Sequence, residues 1–167
     1  LRLLEEAVIE RSPDRKDRAP DVYLELSYTG FIPNSYITSQ TEKMEIYKKI
    51  ASIESEEELE GVHKEIYDRF GPLPEELLSL LSISEVKIIC KELWIKSILE
   101  RKGILDIEFG KLTAIEPARV LRLITISKGK VKYNPTRPNY LTMEVDVNIS
   151  LKEKSEFIRD RISMLKV

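Results

Sequence analysis

The stretch Glu65-Ile66-Tyr67-Asp68-Arg69-Phe70-Gly71-Pro72-Leu73-Pro74 ends one helix, turns, and starts another. Glu65, Asp68 and Arg69 are three and four residues apart, so their charged side chains lie on neighbouring turns of one face. Ile66 and Phe70 point the other way, towards a core. Gly71 supplies the left-handed residue that stops a helix, and Pro72 and Pro74 bar the chain from continuing it. A rigidly held charged patch beside a fixed turn suits contact with a partner better than chemistry.

Working outward, two capping signatures precede this stretch. Ser39-Gln40-Thr41-Glu42 opens a helix carrying Met44, Tyr47, Ile50 and Ala51 on one face, and Ser55-Glu56-Glu57-Glu58 opens the helix that ends at Gly71. The second helix has an apolar stripe at Leu59, Val62, Ile66 and Phe70. Its acidic start needs no functional reading, because carboxylates favour the positive end of a helix. After Pro74 a long apolar helix from about Glu75 carries Leu77, Leu78, Leu81, Val86, Ile89, Cys90 and Leu93.

Strands flank this helical block. Asp21–Tyr28 alternates Val22, Leu24, Leu26 and Tyr28 against more polar neighbours. Residues 94–100 and 104–109 read as a hairpin around Arg101-Lys102-Gly103, and residues 130–133 and 140–147 alternate as strands. Pro117 opens a short helix, and a third box, Ser150-Leu151-Lys152-Glu153, opens a closing helix that buries Leu151, Phe157, Ile158, Ile162 and Leu165. The expected architecture is α+β: a helical amino-terminal half packed with a small antiparallel or mixed sheet and a carboxy-terminal helix.

The 167 residues suit one ordinary domain, and 42% apolar with 34% charged residues is a soluble composition. Residues 1–10 have helical periodicity without an initiator methionine and read as the end of a helix belonging to something larger. Residues 11–20 hold two prolines and six charges, a linker, leaving 21–167 as the domain. No membrane span or signal peptide is evident, so the reading is cytoplasmic.

A net charge of −2 gives no global field for nucleic acid. With one cysteine and one histidine, His63, the chain has neither a disulfide nor a zinc set, and Cys90 reads as a buried small hydrophobe. The six glycines form no phosphate-binding loop. Glu65 with Asp68 is the one acid–base pair to nominate, yet Arg69 beside them should hold both ionised, whereas a general acid needs a raised pKa. The best nucleic-acid candidate is Lys128, Lys130, Lys132 and Arg137, the lysines sharing one strand face. The competing reading, an edge strand guarded by lysines, is favoured.

At these residues the chain resembles the carboxy-terminal (TRCF) domain of bacterial transcription-repair coupling factors, the Mfd family. The resemblance runs through Phe31-Ile32-Pro33, Tyr47-Lys48-Lys49-Ile50-Ala51-Ser52, Glu57-Glu58-Leu59-Glu60 and, most specifically, Glu65 to Pro74. It implies a non-catalytic regulatory domain with no cofactor of its own, preceded at residues 1–10 by the end of a helix from a helicase motor lobe. The parent would be an ATP- and magnesium-dependent DNA translocase that displaces stalled RNA polymerase and recruits UvrA. In the resting parent, this domain would dock on an amino-terminal UvrB-like module and mask the UvrA-binding surface. The family's docking carboxylates fall at Glu65 and Asp68, with Arg69 adjoining and Phe70, Gly71 and Pro72 forming the structural turn. A docking surface without its partner should leave Glu65 and Asp68 exposed and unpaired.

Overall fold

The computed structural model describes residues 21–27, 30–112 and 115–166. The helical lead-in, the linker and Tyr28 therefore lie outside the described residues. In chain order the elements are β1 (Tyr23–Glu25), α1 (Gln40–Ala51), α2 (Glu56–Phe70), α3 (Glu75–Glu92), β2 (Ile95–Arg101), β3 (Ile104–Phe109), α4 (Pro117–Ile126), β4 (Val131–Tyr133), β5 (Tyr140–Glu144) and α5 (Leu151–Ser163). The fold is α+β.

The five strands form one mixed sheet in the order β1-β2-β3-β5-β4. β1 runs parallel to β2, and the remaining pairs are antiparallel. The β2–β3 hairpin closes with a two-residue loop in which Lys102 and Gly103 have φ of 52° and 78°. Two successive positive φ values match the right-handed twist of the strands they join. Arg101, expected in the turn, instead ends β2.

Alternation along the strands makes the sheet one-sided. Ile98, Leu105, Ile107, Leu141, Met143 and Val131 are buried and share a face through the ladder pairs Ile98↔Ile107, Ile107↔Leu141, Leu105↔Met143 and Val131↔Met143. They join Val86, Cys90 and Leu93 of the α3 region and Ile158 and Ile162 of α5 in the main core. A second cluster, Ile32, Ile37, Ile46, Ile66 and Leu77, binds α1 and α2 to α3, and Ile53, Leu81 and Ile88 extend it.

All three serine boxes cap as expected: Ser39, Ser55 and Ser150 accept the amide hydrogens of Glu42, Glu58 and Glu153. The face of α1 differs from its expected stripe. Met44 is 55% exposed and Ala51 is exposed, while Ile46 and Lys43 are buried. Lys43 lays its alkyl stem against the core and carries its ammonium to Asn34 Oδ1, so a lysine takes the place a methionine was expected to hold. β1 is shorter than the alternation implied, three residues long, yet Leu26 beyond it is buried and Tyr23 exposed.

Candidate functional site

The end of α2 is fixed from several sides. The Gly71 amide donates to the Tyr67 carbonyl at 2.8 Å, and the Tyr36 hydroxyl donates to the Gly71 carbonyl at 2.6 Å. The Tyr36 and Phe70 rings pack at 6.0 Å between centroids. Gly71 sits at φ 90°, ψ −166°, a region open essentially to glycine alone. Phe70 is half-buried in the second core cluster, and the turn runs through exposed Pro72 into α3. The backbone beneath Glu65, Asp68 and Arg69 is thus held rigidly by residues that face inward.

The three charged side chains do not act as one group. Glu65 takes both its oxygens to Lys49 of α1, at 2.7 and 2.6 Å. Arg69 reaches Glu45 at 3.1 Å, Glu65 at 3.7 Å and Glu42 at 4.0 Å, and its guanidinium lies 4.9 Å from the Phe70 ring centroid. This network ties α1 to α2. Arg69, hydrogen-bonded and oppositely charged, holds the Glu45 carboxyl below the usual range, with Lys49 adding to it. Glu65 in turn raises the Lys49 ammonium above its ordinary value, chiefly by their hydrogen bond.

Asp68 stands apart. Three residues turn a helix about 300°, so Asp68 lies roughly 60° from Glu65, on the side away from Arg69. It is exposed and makes no ion pair among the described residues, and its neighbour Tyr67 is 52% exposed. The expectation of a bare carboxylate pair is met at Asp68 and not at Glu65. The missing signal was α1: Glu45 and Lys49 are four apart and form their own ion pair at 3.4 Å, a helical stripe that α2 meets edge on.

This geometry also bears on acid–base chemistry. Glu65 borders a depression of about 350 Å³ with Lys49, Ser52, Glu58 and Val62, and Asp68 is not among its lining residues. Glu65 and Asp68 therefore do not converge on one cavity. Cys90 is buried and burial pushes its thiol up to about 12, which keeps it protonated and inert as a nucleophile. Among the described residues no group of three or more histidine, cysteine, aspartate or glutamate side chains is placed to hold a metal ion.

The basic stretch is broken up by the fold. Lys128 and Gly129, at φ 50° and 84°, form the turn after α4, and β4 starts only at Val131. Lys132 alone of the three lysines lies within a strand, and β4 is a sheet edge. Arg137 is committed elsewhere, paired to Asp106 at 3.0 Å and stacked 3.9 Å from the Tyr140 ring centroid. The four cations thus form no continuous face.

The TRCF domain family model matches residues 26–120. The chain is 31% identical over 166 residues, 99% of its length, to a transcription-repair-coupling factor of Borreliella burgdorferi, of which it spans 15%. It is 44% identical over 92 residues, 52% of its length, to one from Staphylococcus epidermidis, of which it spans 8%. The fold resembles a crystal structure of the C-terminal domain of a transcription-repair coupling factor, with a TM-score of 0.70, 23% identity, and 88% and 94% of the two chains covered. The chain belongs to the TRCF domain family of transcription-repair coupling factors.

Proposed function

We propose that this chain is a non-catalytic regulatory domain that restrains its parent by docking, through the exposed end of α2, on an amino-terminal UvrB-like module. The parent in this reading is an ATP-driven DNA translocase that displaces stalled RNA polymerase and recruits UvrA, and the docked domain covers the surface UvrA uses. The observation that carries the reading is Asp68: an exposed carboxylate without an ion pair among the described residues, beside exposed Tyr67, on a helix end locked by Gly71. Such a carboxylate is ready for an arginine of the partner.

The energetics suit a lock that must open. Shifting a masked state from about 1:99 to about 99:1 takes roughly 5.5 kcal/mol of differential binding. A small charged contact is weak enough to be overcome on that scale. Tethering in one polypeptide raises the effective concentration to the millimolar range, so a weak contact still holds the resting state. Glu65 plays a second part. Its side chain is 39% exposed, so an incoming arginine can join Lys49 and Arg69 around it without their displacement.

The test uses the full-length parent. Asp68→Arg, alone and with Glu65→Arg, should raise the affinity for UvrA by about tenfold or more, since losing one member of a desolvated pair costs on the order of 2–5 kcal/mol. Asp68→Arg alone should deliver most of the gain, because Glu65 is already satisfied within the chain. Unchanged UvrA affinity in both variants would overturn the reading.

A further inference from the structure

The sheet leaves β4 as its outer strand, and the direction of its backbone groups follows from the ladder. The Glu144 amide donates to the Lys130 carbonyl at 2.9 Å, so that carbonyl and, two residues on, the Lys132 backbone turn towards β5, while the Lys130 amide donates to the Ser127 carbonyl at 3.0 Å. Val131 and Tyr133 between them present amide and carbonyl groups outward. Side chains alternate in the other sense. Val131 is buried against the helices, Tyr133 follows it on that face, and Lys132 stands on the open face opposite.

The two sides of this edge differ sharply in character. On the helix side lies an apolar groove of about 290 Å³, where Tyr133 meets Leu112, Val120, Leu121 and Ile124. Leu121 is 65% exposed, Leu112 45% and Tyr133 44%, so the groove mouth is open apolar surface. On the other side stand Lys132 and, two residues before it, Lys130. Lys128, Lys130 and Lys132 make no ion pair among the described residues, and from residue 111 to 137 the sequence holds seven lysines and arginines against Glu116 alone. Glu116 is itself paired with Arg119 at 3.1 Å.

We propose that the β4 edge is a docking site for an extended segment of another protein that alternates acidic with apolar side chains. Such a segment adds a sixth strand. Its backbone bonds to Val131 and Tyr133, its apolar side chains enter the groove beside Leu121, and its carboxylates lie along Lys130 and Lys132. Lysines on an edge strand repel generic strand addition, which guards against aggregation. The same lysines favour a strand that brings compensating charge, so the edge is closed to neutral strands and open to acidic ones. This site is separate from the α2 surface: all its lining residues come from positions 109–141.

The test is fluorescence anisotropy with the 167-residue chain and a fluorescein-labelled nonapeptide alternating glutamate with valine or leucine. Saturable binding is expected, with chemical shift changes centred on residues 130–133. The Lys130→Glu/Lys132→Glu variant should bind at least about tenfold more weakly, as should Leu121→Glu, whose side chain is already exposed. A peptide N-methylated at alternate residues should lose binding, because it cannot extend the ladder. Asp68→Arg should leave binding unchanged, which separates this outcome from the fate of the α2 reading. Equal binding of a lysine-for-glutamate peptide or of the N-methylated peptide would overturn the proposal. So would absence of peptide binding, or binding of oligo-dT in its place, the first leaving the lysines as edge protection only.

Discussion

Lys154→Met is the sharpest test of what holds the two ends of this domain together. The Lys154 and Glu100 side chains are 2% and 1% exposed and meet at 2.7 Å in the middle of the main core. Lys154 also donates to the Ser27 carbonyl at 2.8 Å, and the Ser27 amide donates to Glu100 at 2.6 Å. One ion pair thereby joins α5, β2 and the segment leaving β1. Methionine preserves the length of the side chain and removes the charge, leaving Glu100 buried with the Ser27 amide as its remaining donor among these contacts. Breaking a buried pair from one side costs about 3–5 kcal/mol, against a total stability on the order of 5–15 kcal/mol. For a chain of this size each kcal/mol moves the melting temperature by about 2–4 °C, so the expected fall is roughly 6–20 °C. Replacing both partners, Lys154→Met with Glu100→Leu, should recover a large part of that loss, because the stranded charge is gone and only the Ser27 amide and carbonyl are left without these partners. Urea unfolding with unchanged slope and calorimetry supply the readouts. The reasoning fails if the single change costs under about 1 kcal/mol, or if the double variant is no better than the single one.

Two further perturbations address the α2 surface from beneath. Gly71→Ala meets no atom within 4 Å of the new Cβ, so its whole cost is the φ of 90°, about 1–3 kcal/mol by urea titration; a change within error would contradict the strained turn. Glu45, whose carboxyl Arg69 holds below its ordinary range, contributes stability that is full above the unfolded-state value near pH 4–5 and is lost as pH falls through the lowered folded value. The gap in urea midpoint between the unsubstituted chain and Glu45→Gln should therefore be widest near neutrality and close on acidification. A gap that is constant from pH 7 to pH 3 refutes the assignment.

The sequence carried the element boundaries well where local chemistry sets them. Three serine boxes, Pro117 at a helix start, and glycines 71 and 103 at turns all act within a few residues, and each stands where the local pattern put it. Tertiary choices were less legible. Helical periodicity located a charged stripe at Glu65, Asp68 and Arg69, but which side of that stripe meets α1 depends on how two helices pack. That packing gives Glu65 and Arg69 to Lys49 and Glu45 and leaves Asp68 to solvent. Lys154 shows the same limit more plainly. It falls on the apolar stripe of α5 among Leu151, Ile158 and Ile162, and its burial makes sense only once Glu100, 54 residues away, is known to face it. Likewise the lysines at 128, 130 and 132 alternate in sequence, but a positive φ at Lys128 ends the alternation before the strand begins.

The near-neutral net charge conceals a division that organises both proposed surfaces. Between residues 39 and 76, which hold α1, α2 and the start of α3, eleven carboxylates face five lysines and arginines. Between 111 and 137 the balance is seven bases to one acid. Exposed charges act only over about a Debye length, roughly 8 Å at physiological ionic strength, so a partner senses the local balance and not the sum of −2. On the two proposed readings, a basic partner is drawn to the α2 end and an acidic strand to the β4 edge, each discouraged from the other by like charge. Inside this division the ion pairs are spent on architecture: Glu65–Lys49 and Arg69–Glu45 join helices, Arg137–Asp106 pins the loop before β5, and Lys154–Glu100 closes the core. Among the exposed charges those pairs leave over are Asp68 at one end and Lys130 with Lys132 at the other, where recognition by charge can act without first breaking the fold.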